Sequence, residues 1–166
     1  MGYGSAVSFV RLGARDSGGW LTMPTITFQV LTDLPPDRVL GALIDFTDRR
    51  PTIWPKIDHG HFQVHGQGPG WADVTEGNAL AWERNRYEWN AVAGEVTVTA
   101  VESDTWAPGS QWRYRLLPTT SGGTDVQVTV VRTGRGPRGL LIGALITWFG
   151  RRMLRSDMEK VLARVR

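Results

Sequence analysis

The sequence contains no cysteine among its 166 residues. This absence excludes disulfide bonds, thiolate metal sites and cysteine nucleophiles, so the fold must be stabilised by its core alone. A chain of this length forms one domain in most proteins. We therefore expect a single domain in a reducing compartment, with the cytoplasm as the expected location.

Long hydrophobic runs are also missing. The longest mainly apolar stretch, from Leu140 to Phe149, is well short of the roughly 20 residues that a membrane-spanning helix needs. The N-terminal region has Arg11 and Arg15 but no compact apolar run followed by a cleavage site. The sequence therefore predicts a soluble protein without a secretory signal and without stable membrane insertion.

A strong charge imbalance is missing as well, since the formal net charge is only +3. Six of the 19 Lys and Arg residues cluster between Arg151 and Arg166. A helix C-terminus favours cations through its dipole, so we interpret this cluster as a solvated helix face. No RNA-binding signature or recognition-helix pattern supports nucleic-acid binding, and no nucleic-acid partner is expected.

What the sequence does contain is a clear succession of hydrophobic periods. Ile26, Phe28 and Val30 alternate with polar residues, which predicts a first strand. Prolines and acids between Asp33 and Asp37 suit the start of a helix. A second short helix is expected after Asp48, which we assign as its cap, and before Trp54. The apolar residues of this helical region recur at helical spacing: Val39, Leu40, Leu43, Ile44 and Phe46.

The region that follows is divided by glycine, proline and asparagine into short runs typical of an antiparallel meander. We place six strands at Phe62 to Gly66, Trp71 to Glu76, Leu80 to Trp89, Glu95 to Glu102, Gln111 to Leu117 and Asp125 to Arg132. In the fifth of these, Trp112, Tyr114 and Leu116 alternate with arginines, so one face of the sheet is expected to be buried.

After Pro137 the period becomes helical and predicts one helix of nearly thirty residues. One stripe at spacings of three and four contains Gly143, Thr147, Gly150, Leu154, Met158, Val161 and Val165. Each mid-helix glycine costs about 1 kcal/mol relative to alanine. The two glycines therefore allow either close backbone packing or space for a ligand.

The third predicted strand of the meander has polar residues on both faces. One face contains Trp82, Arg84, Arg86 and Glu88, and the other contains Glu83, Asn85, Tyr87 and Trp89. The sequence does not decide which set points inward. Either set brings charge into the interior, where it must form an ion pair, with Glu76 as one candidate partner, or bind the polar group of a ligand.

Three histidines and two glycine-rich segments are further candidates for binding sites. His59, His61 and His65 would share one face of an extended strand, but His65 would lie about 13 Å beyond His61, too far to close a metal site. The glycine-rich segment 66–70 predicts a hairpin turn, and segment 134–139 a loop before the last helix, rather than phosphate cradles. No metal and no cofactor is expected.

The order of elements, together with three segments, resembles a known family. These segments are WADVTEG (71–77), WERNRYEW (82–89) and VESDTWAPGSQWRYRL (101–116). They resemble the START-like helix-grip superfamily, SRPBCC, in particular its polyketide cyclase/dehydrase and lipid-transport group. The resemblance implies an α+β fold in which a curved antiparallel seven-stranded sheet wraps a long C-terminal helix, with two short helices after strand one. We assign residues 23–166 to this domain and 1–22 to a flexible extension, with Met23 as an alternative start of the chain.

In that family the space between sheet and helix binds sterols, lipids or polyketides, so the resemblance implies a small hydrophobic ligand as the partner. Eight tryptophans could form its walls or simply fill the core. The expected ligand-binding residues are Trp54, Trp82, Trp112, Gly143, Thr147 and Gly150.

The resemblance leaves three functions open. The leading hypothesis is a non-catalytic carrier or binding protein. The second is a cyclase, aromatase or dehydratase, for which the candidate catalytic residues are Glu76, Arg86, Tyr87 and Tyr114. No nucleophile with an adjacent base is evident, so catalysis rests on the resemblance alone. The third is an interaction module in which the last helix transiently contacts a membrane or docks a partner protein.

Overall fold

The computed structural model describes residues 21, 22 and 25–166, and for 21–22 and 137–149 it describes the backbone alone. The N-terminal half contains β1 (Leu21–Thr22), β2 (Ile26–Thr32), α1 (Pro36–Leu43), α2 (Arg50–Ile53), a single 3₁₀ turn (His59–His61), β3 (Gln63–Gly68) and β4 (Trp71–Asn78). The rest contains β5 (Ala81–Asn90), β6 (Glu95–Ser103), β7 (Gln111–Pro118), β8 (Thr124–Val131), β9 (Thr133–Gly134) and α3 (Gly136–Arg164).

Seven strands form one antiparallel sheet in the order β2-β8-β7-β6-β5-β4-β3. Side chains of six neighbouring strands, β2 and β4 to β8, line one cavity of about 490 Å³, although six flat strands would span roughly 24 Å. The sheet is therefore curved. The α+β helix-grip architecture is confirmed in the described residues: a curved seven-stranded sheet, a long C-terminal helix and two short helices after the first strand of that sheet.

The core lies between the inner face of this sheet and the second half of α3. Val126, Val128 and Val130 of β8 are buried, as the alternation predicts. Leu154, Met158, Val161 and Val165 are also buried, which confirms the described part of the helix stripe. Burial of each such side chain contributes roughly 1.5–3 kcal/mol, so this stripe holds the helix against the sheet.

Side-chain hydrogen bonds connect the C-terminal end of α3 to the two short helices. Arg164 donates from Nη1 to the backbone carbonyls of Thr52 and Ile53, at 3.1 Å each. Arg38 of α1 donates from Nη2 to the carbonyl of Val165 at 2.7 Å. These bonds satisfy carbonyls that a helix end leaves without intrahelical partners.

The predicted strand boundaries agree with the structure within a few residues, as Ala81–Asn90 does with the expected Leu80 to Trp89. The predicted hairpin turn is confirmed, because Gly68 pairs with Trp71 across Pro69 and Gly70. Gly70 has φ of +80°, a backbone conformation that glycine adopts without strain.

One local prediction is wrong. Asp48 does not cap α2, because Arg49 occupies the N-cap and no side chain caps that end. His59 and His61, which precede the strand predicted from Phe62, lie in the 3₁₀ turn. Asp58 stabilises that turn, since its backbone carbonyl accepts the N–H of His61 and its carboxylate bonds the His61 ring at 2.7 Å.

The proposed extension over 1–22 lies outside the described residues except for Leu21 and Thr22. These two pair with Gly134 and Thr133 in a small separate ladder. The boundary at Met23 stays a prediction. Within the part of the chain that is described, no helix is both long enough and apolar enough to cross a bilayer.

Candidate functional site

A cavity of about 490 Å³ lies between the inner face of the sheet, α2 and α3. Its described walls are mainly aliphatic and aromatic. The apolar lining includes Phe28, Leu43, Trp54, Ile57, Val98, Trp106, Trp112, Val130, Leu154 and Met158. Covering such a surface with an apolar ligand lowers the free energy, because water leaves the surface.

Arg50 is the most deeply buried charged group on this cavity, with 1% of its side chain exposed. Arg50 begins α2, and the apolar Ile53 and Trp54, three and four residues later, end and follow it, so the face of this short helix that packs inward also turns Arg50 inward. Its Nη1 donates to the carbonyls of Leu43 at 3.1 Å and Asp45 at 3.2 Å. Its guanidinium is therefore fixed by backbone as well as by side chains.

Glu76 of β4 is the charged partner of Arg50. Arg50 Nε donates to Glu76 Oε2 at 2.7 Å. Burial alone would lower the pKa of Arg50, but the charge of Glu76 and the hydrogen bonds to Glu76 and Tyr87 outweigh it, so the pKa lies above its ordinary value. Arg50 therefore keeps its charge in this buried contact.

Tyr87 of β5 joins both members of this pair. Its hydroxyl accepts from Arg50 Nη2 at 2.7 Å and donates to Glu76 Oε1. Burial raises the pKa of Tyr87 well above its ordinary value, although the charge of Arg50 acts in the opposite direction. Asn85 donates from Nδ2 to the same Glu76 oxygen at 3.3 Å, and its own Oδ1 is buried without a hydrogen-bond partner among the described residues. We refer to Arg50, Glu76, Tyr87 and Asn85 as the buried polar cluster.

A second ion pair lies beside this cluster. Glu83 on β5 is the direct cross-strand neighbour of Glu76 on β4. Two carboxylates at such positions repel each other unless each has a cation. Arg132 supplies the second cation, donating from Nη1 to Glu83 Oε2 at 2.7 Å. Its guanidinium lies 5.0 Å from the ring centre of Trp106 and 5.3 Å from that of Trp112.

Tyr114 of β7 presents a hydroxyl to the cavity that forms no hydrogen bond with the described residues. Its ring stacks on Trp112, with centroids 6.3 Å apart and planes 6° from parallel. Burial raises the pKa of Tyr114 above its ordinary value, and the charge of Glu76 adds to this effect. The hydroxyl therefore remains protonated and available as a hydrogen-bond donor.

The rim of the cavity contains a third ion pair. Lys56, in the segment after α2, contacts Asp157 of α3 at 2.6 Å between Nζ and Oδ2. The Lys56 side chain is 56% exposed, unlike the two arginines. Met153, on the same helix and 40% exposed, also lines the cavity. Among the described residues, the cavity therefore reaches solvent at this edge, between α3 and the segment after α2.

The structure brings several predicted site residues together on the cavity: Glu76, Tyr87, Tyr114, Trp54 and Trp112. It places Trp82 and Arg86 on the opposite face of β5. Trp82 lines a shallow surface pocket with His61 and Phe62, and Arg86 stacks on Trp71 at 4.0 Å. The inward face of β5 is therefore the one with Glu83, Asn85 and Tyr87.

The remaining predicted wall residues are on α3. Gly150 is buried but is not among the described lining residues. Gly143 and Thr147 lie in the part of α3 for which only the backbone is described. No group of three His, Cys, Asp or Glu side chains suited to a metal ion occurs among the described residues.

Arg50, Glu83 and Arg132 are site residues that the sequence prediction missed. For Arg50 a signal existed, since its spacing to Ile53 and Trp54 places it on the apolar stripe of a short helix. Arg132 follows a strand whose alternation ends at Val130, so its inward position continues the same period. Neither pattern identifies the glutamate that each arginine meets.

Comparison with known proteins gives the same architecture. No protein-family model and no curated protein sequence matches the chain. A solved protein from Thermus thermophilus superposes with a TM-score of 0.69 and 18% identity, over 86% of this chain and 97% of that one. The Zhui aromatase/cyclase from Streptomyces sp. R1128 superposes with a TM-score of 0.65 and 18% identity, over 86% of this chain and 93% of that one.

A START superfamily protein from Mycobacterium smegmatis gives a TM-score of 0.67 at 13% identity, over 85% of this chain and 96% of that one. These likenesses span nearly the whole of each solved chain, and at such identities they establish the architecture. The chain therefore has the same helix-grip fold as these solved proteins.

Proposed function

We propose that the protein binds a small hydrophobic molecule in the cavity between sheet and α3 and acts as a carrier or binding protein. The cavity itself carries this proposal. Its volume of about 490 Å³ lies within the range of roughly 300–1,000 Å³ that is usual for small-molecule sites. Lipids, polyketide-like molecules and other polycyclic compounds have the required size and polarity.

The arrangement of polar groups supports binding without chemistry. The atoms of the buried polar cluster bond mainly to one another, so most of them need no ligand as a partner, and Asn85 Oδ1 is the exception among the described atoms. No serine or threonine among the described lining residues bonds to a histidine or carboxylate that lines the cavity with it, as an activated nucleophile would. The START superfamily likeness agrees with a binding role.

Filling the cavity should weaken binding. Val98 of β6 lines the cavity, so Val98→Phe should weaken binding of the uncharged dye Nile red by about tenfold or more, since it occupies ligand space. Dye fluorescence measures the affinity. Val101→Phe, at an exposed position of the same strand, is the control and should bind as the unmodified protein does. Equal loss in both variants, or no loss in Val98→Phe, would contradict the proposal.

A second candidate is a cyclase, aromatase or dehydratase reaction in the same cavity. The hydrogen bond between Tyr87 and Glu76, next to Tyr114, favours it, because it holds a proton and its acceptor at the cavity surface. The solved aromatase/cyclase with this fold supports it. In this reading Glu76 and the two tyrosines supply acid–base chemistry to a folded reactive chain.

The enzyme candidate has its own test. Glu76→Gln should lower turnover of a polyketone substrate by about 100-fold or more while substrate affinity is kept, since the amide preserves shape and loses the base. Single-turnover product analysis measures this, with near-ultraviolet circular dichroism to verify folding. If the folded variant keeps its rate, Glu76 is not the acid–base group. The interaction-module hypothesis concerns the first half of α3 and stays a prediction.

A further inference from the structure

We infer that the cavity selects uncharged ligands and that the Tyr114 hydroxyl is the group that orients them. This inference rests on the proposed binding function and specifies its ligand class. It follows from how the charges on the wall are arranged, which the apolar character of the cavity alone does not reveal.

Each cation of the described lining pairs with one carboxylate of that lining, and Asp157 at the rim also contacts Lys160, outside the lining, at 3.7 Å between Oδ1 and Nζ. Arg50 meets Glu76 at 2.7 Å, Arg132 meets Glu83 at 2.7 Å, and Lys56 meets Asp157 at 2.6 Å. The described wall therefore has no net charge. A ligand with a carboxylate, phosphate or ammonium group would enter an apolar space in which each opposite charge is already taken.

The two arginines are poorly placed to change partners. Arg50 has hydrogen bonds from Nε, Nη1 and Nη2, two of them to backbone carbonyls that cannot move away independently. Arg132 is flanked by two tryptophan rings, with 8% of its side chain exposed. If either arginine turned to an anionic ligand, it would leave Glu76 or Glu83 buried without a cation, which is strongly unfavourable.

Tyr114 differs from these groups because its hydroxyl is neutral and has no partner among the described residues. A neutral hydroxyl both donates and accepts, so it can bond to a hydroxyl or carbonyl oxygen of a ligand without adding charge. Its ring, stacked on Trp112, also offers a flat surface to a polycyclic ligand. The expected ligand is thus an uncharged, ring-containing molecule with at least one such oxygen.

Four fluorescent probes with one common ring system test whether the cavity selects uncharged ligands. They are pyrene, hydroxypyrene, pyrene carboxylate and pyrenemethylammonium, each titrated near neutral pH. Hydroxypyrene should bind most tightly and pyrene next. Both ions should bind about tenfold or more weakly than pyrene, since neither finds a free counter-charge. Binding of either ion as tight as that of hydroxypyrene would overturn the inference while leaving hydrophobic binding intact.

Two variants test the residues. Tyr114→Phe should weaken hydroxypyrene binding about five- to tenfold, to the level of pyrene, and leave pyrene binding unchanged. Glu83→Gln frees Arg132, so pyrene carboxylate should bind about tenfold or more tightly than to the unmodified protein. Glu95→Gln is the matched control, because Glu95 pairs with Arg115 at an exposed position, and it should change nothing.

The possible failures are distinguishable. If pyrene and hydroxypyrene both fail to bind, the proposed function is contradicted and the ligand class falls with it. If they bind but Tyr114→Phe weakens both equally, Tyr114 has a structural role only and the orienting role is overturned. Unchanged carboxylate binding in a folded Glu83→Gln protein would overturn the explanation from charge pairing.

Discussion

Arg50→Gln is expected to lower the free energy of unfolding by about 3–5 kcal/mol, which is the usual cost of leaving a buried charge without its partner. Arg50 is 1% exposed and its partner Glu76 is 11% exposed, so water can replace little of the lost interaction. Two backbone carbonyls and the Tyr87 hydroxyl lose their donor at the same time. Urea unfolding followed by tryptophan fluorescence measures the change.

Two further variants test whether the loss of stability comes from breaking the buried pair rather than from removing any arginine. Arg115→Gln removes an exposed pair with Glu95 and should leave the unfolding free energy almost unchanged. The double variant Arg50→Met, Glu76→Leu removes both charges and should recover much of the loss, because no uncompensated charge remains. A single Arg50→Gln variant as stable as Arg115→Gln would show that the pair is not energetically important.

Gly77→Ala should cost about 3 kcal/mol or more, the second large effect expected here. Gly77 lines the cavity on β4 and has φ of +147°, a conformation that residues with a Cβ adopt only with strain. A methyl group there would also lie 2.6 Å from Cα of Trp82 and closer still to the carbonyl oxygen of Ala81. Both are backbone atoms of the neighbouring strand, so relief requires β4 and β5 to separate.

The control variant is expected to change the free energy of unfolding in the opposite direction. Gly41 lies in the middle of α1, and a Cβ there would meet nothing within 4 Å. Gly41→Ala should therefore stabilise the protein by about 0.5–1 kcal/mol, since alanine loses less backbone freedom on folding. Thermal unfolding monitored by circular dichroism compares the two variants directly. A Gly77→Ala protein as stable as the unmodified one would mean that the positive φ at this position is not required.

The fold could be predicted from the sequence because its strands are marked on one face by apolar residues and ended by turn residues. Val126, Val128 and Val130 show the first feature, and Pro69-Gly70 shows the second. The long helix was equally clear, since its stripe repeats over many turns. These are local signals, so the seven strands of the main sheet, the two short helices and the long helix could each be predicted without knowledge of their neighbours, whereas the two-residue strands β1 and β9 and the 3₁₀ turn were not predicted.

The site could be predicted only in part, because its decisive contacts are between distant segments. β5 has comparable polarity on both faces, so its own sequence does not show which face points inward. One face contains Arg84 and Arg86, and the other contains Glu83 and Asn85. The choice is made by Arg132, which is 49 residues from Glu83, and by Arg50, which is 26 residues from Glu76. Glu76 and Tyr87 were proposed as site residues, but the cation that joins them was not.

The fastening of α2 by Arg164 has a consequence for the order of folding. A helix of four residues is too short to persist alone, and its terminal carbonyls bond to a side chain 112 and 111 residues further along the chain. Contacts this remote in sequence form slowly. We therefore expect the meander of β3 to β8 to assemble first from neighbouring strands, and α2, which presents Arg50 to Glu76, to become stable when α3 docks. On this expectation the buried polar cluster is completed late, by the helix that also closes the cavity.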